Sequence, residues 1–529
     1  MRKLLQILDM TVMLLVTGAC STNLFEQYDS LSKDDSKREI SDVWSPSECT
    51  MDEVAVKSFN IKASSNPSVL ADLSFRYRND STYVATVSHY SLVGKELVPT
   101  WNGVAERVTV NGIDQVPGNS AVDFSQPVRY RFHASDGQYR EIEFSLEQEP
   151  CSGLPVVSLL SEKIISDRYT WIPVTFRIAM PSGGTVNFTG NISARYLNDN
   201  SIYFEKKSFE LEFEDMASVM DMGTSRHWNL VSNAPDRTYL RNRLAGRIGD
   251  VLDMQLTPSM QYCELYLNSE YMGLYLLSGT VEMENGGTDA AERLKAQGPE
   301  QSDYLFKMDW DNEGCWFKTA VMELPVNIVY PNKLSPDEEN YVQDCFKRIE
   351  QCLYQKETPD TDYRNLVDLT SFAACWIAYE LTACESCRTP SSVWYYKNAG
   401  GKLCAGPLWN FDRGTFNPFD GFVLHDYETV DFDGNTRSLW YSRLFRDQEF
   451  VNAVKKVWQQ RRSELRDVVG FADSQASIIE ETVKRTLEKW PTDINSNQDS
   501  KLSWENAVDS LKSRYTARWY FLDNSIALW

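Results

Sequence analysis

The sequence predicts an α+β protein: an all-β module first, then a longer mixed region that ends in helices. Three observations carry this. Between residues 51 and 150, short alternating runs are separated by turn signals. From Leu154 onward, strand patterns and helix patterns are interleaved. From about residue 440 the apolar period becomes helical. A chain of 529 residues, 42% hydrophobic and 12% aromatic, has material for at least two cores. Its net charge of −22 disfavours a phosphate-backbone partner, because nucleic acid is held by clustered Lys and Arg.

In chain order, residues 1–20 read as an export signal. Arg2 and Lys3 precede a mostly apolar run from Leu4 to Val16, interrupted by Asp9. Thr17-Gly18-Ala19-Cys20 follows. Small residues before a cysteine are similar to a lipobox, which makes Cys20 the expected lipidation site. Thr17 stands where such boxes carry Leu, and a cleaved secretory peptide is the other reading. Acyl chains on Cys20 would tie the protein to a lipid membrane without a spanning helix. The expected location is the cell envelope, at the outer membrane. Past residue 20 no apolar run reaches spanning length. Residues 21–50 are polar and rich in Ser and Asp, as a flexible tether would be.

Residues 51–150 predict strands at Val54–Ile61, Thr82–His89, Arg107–Val110, Val128–Phe132 and Arg140–Leu146. Turns are expected at Asn111-Gly112, Pro117-Gly118 and Asp136-Gly137. Short strands at this spacing predict an Ig-like β-sandwich acting as spacer or binding module. The stretch from Val110 to Phe124, with Val128–Leu146, resembles the Ig-like modules of Bacteroides-type surface lipoproteins.

The mixed region, 154–529, opens with strands at Leu154–Leu160, Ile172–Ile178, Val186–Tyr196 and Lys206–Phe213. In the last, Phe209, Leu211 and Phe213 share one face. Asp236 is placed to cap a helix with a Leu240, Leu244, Ile248, Val251 stripe. Tyr262–Leu267 and Tyr271–Leu277 form a hairpin. After a polar loop at 284–303, strands return near Tyr304 and Val326. Ser335-Pro-Asp-Glu338 is a capping box, and a second helix starts after Asp368. Ser392–Lys397 and Leu403–Asp412 predict two more strands. Phe450–Val469 and Ala472–Trp490 are the clearest late helices.

Gly406–Pro418 is the stretch most unlike ordinary core or surface. Trp409 and Phe411 alternate with Asn410 and Asp412, and Gly414 breaks the run. An Asn and an Asp delivered side by side are oxygen ligands for a hard cation; a solvated edge strand is the plainer reading. Ten cysteines besides Cys20 permit disulfides in an exported chain. Cys384-Glu-Ser-Cys387 has neither a second CxxC nor a nearby His, which argues against zinc.

Four stretches together resemble the CotH kinase family of atypical protein-kinase-like proteins. They are Lys206–Phe213, His227–Asn242, Leu265–Tyr275 and the Gly406 segment, in family order. The resemblance implies a kinase-like fold over 154–529, with ATP and Mg²⁺ as cofactors. It implies phosphoryl transfer to Ser or Thr of a secreted or surface protein. By resemblance, Asp412 is the catalytic and metal residue, with Asn410 and Glu385 as further metal ligands. Lys206, Lys207 and Arg241 are the cofactor-binding candidates; Arg241 could equally form a structural ion pair. Four departures weaken that chemistry. Asn410 replaces an Asp, Cys384 an Asn, and Gly279 a Glu; Ala194–Tyr203 lacks two glycines. The expectation is therefore a kinase-like scaffold with reduced or absent activity, a pseudokinase. An active Ser/Thr kinase and an adhesin or glycan-binding accessory protein are the alternatives, the last suggested by 15 Trp and 26 Tyr.

Overall fold

The computed structural model describes residues 44–79, 81–88, 96–149, 152–283, 298–311, 314–388, 390–425, 438–491 and 497–529. The expected signal with Cys20, Cys151 and most of the expected tether lie outside the described residues. The chain divides into two compact units, one ending at Gln148 and the other running from Glu149 to Trp529 with Ser88–Leu92.

The first unit contains β1 (Ala55–Ile61), β2 (Leu73–Ser74), β3 (Arg76–Asn79), β4 (Thr82–Val87), β5 (Pro99–Val104), β6 (Arg107–Val110), β7 (Ile113–Asp114), β8 (Val128–His133) and β9 (Tyr139–Gln148). They form a three-stranded sheet, β2-β1-β5, and a six-stranded sheet, β3-β4-β9-β8-β6-β7. The sheets share one core. Phe59 of β1 stacks on Phe144 of β9 at 3.8 Å and meets Tyr130 of β8 edge-on at 5.0 Å. Alternation sets the faces: in β8, Val128, Tyr130 and Phe132 are buried while Arg129 and Arg131 are exposed. Arg129 and Arg131 pair with Glu143 and Glu141 across the ladder to β9. Strand β5 does not show in the sequence, because Pro99 and Gly103 read against a strand; its pairing with β1 holds it.

The second unit has two sheets. The larger comprises β10 (Val156–Leu160), β11 (Ile172–Pro173), β12 (Thr175–Ala179), β13 (Thr185–Asn187), β14 (Ile192–Tyr196), β15 (Phe209–Ser218), β16 (Thr224–Val231), β17 (Met260–Leu267) and β18 (Glu270–Gly279). Their order is β11-β14-β15-β16-β18-β17-β10-β12-β13. The smaller comprises β19 (Tyr304–Met308), β20 (Cys315–Lys318), β21 (Pro325–Tyr330), β22 (Val393–Lys397) and β23 (Leu403–Ala405), ordered β20-β21-β19-β22-β23. The β17–β18 hairpin turns on Asn268 and Ser269, both with positive φ.

Helices α1 (Arg241–Val251), α2 (Pro336–Tyr354), α3 (Leu369–Leu381), α4 (Tyr441–Leu444), α5 (Gln448–Arg466), α6 (Val468–Lys489) and α7 (Trp504–Leu528) complete the unit. The expected capping box starts α2, and Asp368 caps α3 by accepting from Ser371 N. Asp236 does not cap α1, whose N-cap position is Leu240. Asp236 instead folds back from five residues upstream, and its Oδ2 accepts from Arg241 N at 2.8 Å. Helix α3 is apolar all round and buried within the main core, among α5, α7 and the small sheet. The expected strand from Leu403 to Asp412 stops at Ala405. Gly406 takes φ +109°, which only glycine adopts without strain, and Pro407 has no N–H to continue a ladder.

Among the described residues, Cys49, Cys263, Cys315, Cys345, Cys352, Cys375, Cys384, Cys387 and Cys404 are free thiols. No described helix is long and apolar enough to cross a membrane.

Candidate functional site

The segment after β23 is irregular, and side chains rather than a ladder hold it. Phe411 N donates to Asn242 Oδ1 at 2.6 Å, so the first turn of α1 fixes its course. The Thr415 hydroxyl donates to Phe411 O. Gly414 N donates to Asn497 Oδ1 at 2.8 Å, while Asn497 Nδ2 donates to Asp412 O at 2.8 Å and Pro235 O at 3.1 Å. Asn497 is fully buried, and its single amide satisfies the Asp412 carbonyl and the Gly414 N–H two residues on. Asn410 has φ +67°, a conformation Asn tolerates better than most residues.

Although no strand presents them, Asn410 and Asp412 converge. Asn200 Nδ2 donates to Asn410 Oδ1 at 3.3 Å and to Asp412 Oδ1 at 3.1 Å. Asn410 Nδ2 donates to Ser392 Oγ at 3.2 Å, which turns its carbonyl oxygen toward Asp412. Asp199, next to Asn200, caps the short 3₁₀ turn Asn200–Tyr203 by accepting from Ser201 N. Asp412 is 1% exposed. Burial, then the negative charge of Asp199, pushes its carboxyl up to about 7, against the pull of the Asn200 amide. Burial also raises the Asp199 pKa. The Asp412 carboxylate and the Asn410 carbonyl thus bring two oxygens to one place, and the charge of Asp199 makes ionising Asp412 costlier. A hard divalent cation would relieve that cost, and Mg²⁺ sites often use one or two carboxylates completed by water and phosphate. Among the described residues no three acidic, His or Cys side chains gather into a complete metal cage.

An open cleft of about 300 Å³ adjoins this point, lined by Asn200, Glu385, Ser391, Asn410, Arg413 and Gly414. Glu385 N donates to Gly414 O at 3.1 Å, which brings the loop after α3 alongside. The Glu385 side chain is exposed in the cleft. So is Arg413, which has no ion pair among the described residues. A second crevice, bounded by Val231, Met260, Leu276 and Trp409, shares Asn410 with the cleft and has room for about 10 Å³.

The expected phosphate-binding cations are elsewhere. Lys206 is 2% exposed; its ammonium donates to Ser232 O at 2.6 Å and to Leu274 O, over the faces of Tyr239 and Tyr275. Burial drives its pKa well down, so the reading of Lys206 as a phosphate ligand is corrected: it ties the segment before β15 to β18 and to the end of β16 within the large sheet. Lys207 points to the other face and donates to Ile202 O at 2.9 Å, within the field of Asp199. Arg241 is fully buried, bonded to Asp236, to Asp499 at 2.7 Å and to Thr415 O at 3.1 Å. That geometry is the structural ion pair; no face of its guanidinium is left for phosphate.

Asp199, Asn200, Arg413 and Asn497 were not singled out in the sequence. The Asn198-Asp199-Asn200 run was the available signal, read only for its missing glycines. Cys384 is buried, with its carbonyl accepting from the Cys387 thiol at 2.6 Å. Glu282 accepts from Ser225 and is no substitute for the acid missing at Gly279.

The sequence profile of the family described as CotH kinase protein matches residues 186–522, nearly two-thirds of the chain. This chain belongs to the CotH kinase protein family. Asp199, Asn200, Asn410, Asp412, Arg413 and Asn497 all lie within the CotH match, and the second unit is a kinase-like domain. None of the curated proteins compared matches the chain.

Proposed function

We propose that this CotH-family protein holds a divalent cation at Asp412, Asp199 and the Asn410 carbonyl. In this reading it binds a nucleotide phosphate beside the cation, with phosphoryl transfer strongly reduced. The observation that carries the reading is the meeting of the Asp412 carboxylate and the Asn410 carbonyl on the Asn200 amide, beside a cleft of about 300 Å³ that Asn200 and Asn410 line, with Asp199 close enough for its charge to act on Asp412.

A bound Mg²⁺–nucleotide would supply the transferable phosphoryl group and neutralise its charge. The chain's own residues have narrower tasks. Asp412 and Asp199 hold the cation, and Ser392 keeps the Asn410 oxygen turned inward. Arg413 supplies positive charge at the cleft rim, where neither Lys206 nor Arg241 reaches. The weak point is proton removal. Asn410 is no base at neutral pH, and Glu385 is exposed and unpartnered among the described residues, so nothing holds it against a substrate hydroxyl. The narrow crevice at Trp409 must open before a purine could enter.

Calorimetry on the whole chain with Mn²⁺, Mg²⁺ and ATP tests this. Mn²⁺ should bind without nucleotide, ATP should bind only with metal, and Asp412→Asn should weaken both at least tenfold. No heat in a folded sample overturns the reading. Turnover at ordinary kinase rates, about 1–100 per second, would replace it with the active enzyme.

We also propose an acylated, envelope-displayed protein whose two-sheet unit is an Ig-like spacer. The sequence around Cys20 and the strand spacing support this. Palmitate incorporation lost in Cys20→Ala would support the anchor; incorporation unchanged by that substitution would exclude it.

A further inference from the structure

A cavity of about 200 Å³ lies between α2 and the small sheet, and shares no lining residue with the Asp412 cleft. Phe306, Tyr341 and Phe346 supply aromatic wall, and Lys397, Arg348 and Cys345 supply its chemistry. Lys397 lies on β22, whose five residues are all buried, and is 7% exposed. Among the described residues the only hydrogen bond of its ammonium is a long one, 3.5 Å to Asn398 O; the ammonium stands 5.5 Å from the Tyr341 ring centroid, and no described carboxylate lies within ion-pair range. Asp303 and Glu300 attract it from farther off, and Asp303 already accepts from Ala399 N. Arg348 is exposed at the mouth and has no ion pair among the described residues.

Other buried cations of the unit are better satisfied. Arg241 has two carboxylates and Arg518 has Glu380, while Lys206 and Arg443 each donate to two backbone carbonyls. Acids are not scarce, at 75 against 53 basic residues. Burying an ammonium without a counter-charge is costly, and a second cation at the same cavity adds repulsion. An anion between them would remove both penalties, and the aromatic wall selects an apolar body behind it. At about 30 Å³ per water-sized group, the cavity has room for roughly seven such groups, the scale of a small ligand.

We propose that this cavity binds a small carboxylate with a compact apolar body. The carboxylate meets Lys397 and Arg348, and the body packs on Phe306, Tyr341 and Phe346. The site is independent of the cation reading above.

The test is titration of the whole chain with sodium benzoate, benzyl alcohol and sodium phosphate, followed by calorimetry and by iodoacetamide labelling of Cys345 read by peptide mass. Benzoate should saturate, benzyl alcohol and phosphate should bind at least tenfold more weakly, and benzoate should slow Cys345 labelling over the same concentration range. Lys397→Met should abolish the preference for benzoate over benzyl alcohol, and Arg348→Gln should reduce it. Equal binding of benzoate and its neutral analogue, phosphate binding as tight as benzoate, or Cys345 labelling indifferent to benzoate would each overturn the proposal. If Lys397→Met does not fold, the wild-type labelling experiment decides.

Discussion

Asp412 is a carboxyl placed where ionising is expensive. Its folded pKa, about 7, lies above its unfolded value. The native state therefore binds more protons than the unfolded state between those values, and cation-free stability falls as pH rises through the interval. The loss amounts to a few kcal/mol at most, at about 1.4 per pH unit. We expect the metal-free protein to melt higher at pH 5 than at pH 8. Mn²⁺ should narrow that gap and Asp412→Asn should reduce it. A metal-insensitive gap in a thermal melt would contradict the assignment. Cation affinity should also fall about tenfold per unit below pH 7, because binding must displace one proton.

Asn497 acts at the same scale through a different route. It touches the backbone around Asp412, so it positions the carboxylate rather than meeting the cation. Asn497→Ala leaves Gly414 N and two carbonyls without their partner. It should cost about 1–3 kcal/mol in urea unfolding and weaken Mn²⁺ binding. Asn497→Asp, which keeps the acceptor for Gly414 but loses the donor, should fall between.

At the scale of elements, α6 crosses β18 at one point. Gly273 has φ +88°, and a Cβ there would stand 2.8 Å from Thr486 Oγ1. That hydroxyl accepts from Leu274 N at 2.8 Å, and Trp490 Nε1 donates to Met272 O at 2.9 Å. The glycine thus lets helix and strand approach closely enough for a side chain to serve the strand's backbone. Gly273→Ala should destabilise by about 1–3 kcal/mol, and adding Thr486→Ala should recover only part, since the φ strain remains. Equal stability of wild type and Gly273→Ala would mean the crossing is not tight.

Elements with strict periodicity were legible. The capping box of α2, the β17–β18 hairpin and the β6–β8–β9 ladder appear where alternation and turn residues place them. Helix α7 was less so; its buried residues are interleaved with Asp, Lys and Arg, and one of those, Arg518, is itself buried on Glu380. The strand expected through Asp412 failed for a local reason. Alternating Trp-Asn-Phe-Asp reads as a strand only if the backbone is extended, and Gly406 and Asn410 turn it.

At the scale of the molecule, the first unit has its own core around Phe59, Tyr130 and Phe144, with no need of residues beyond Gln148. A fragment of residues 44–148 should therefore unfold cooperatively by itself, read by tryptophan fluorescence at Trp44 and Trp101. A broad, non-cooperative transition would show that the unit depends on the rest of the chain. The complementary fragment, from residue 149, should keep Mn²⁺ binding if the cation site is complete in the second unit.

The sequence alone determined the α+β class and the CotH membership. Each rests on local period or on motifs read in a line. It also placed Asp412 and Asn410 together, because they are two residues apart. Only the tertiary structure decided which charges face the cleft. Lys206 and Lys207 are neighbours in sequence just before β15, yet one is buried against carbonyls of the large sheet and the other lies in the field of Asp199. Arg241 lies in a matched motif, yet Asp499, distant in the chain, claims its guanidinium. Asp199 and Asn497 become part of the site through contacts spanning 212 and 85 positions in the chain, the first through its neighbour Asn200. Such pairings depend on where packing brings remote segments, and no local pattern carries that information.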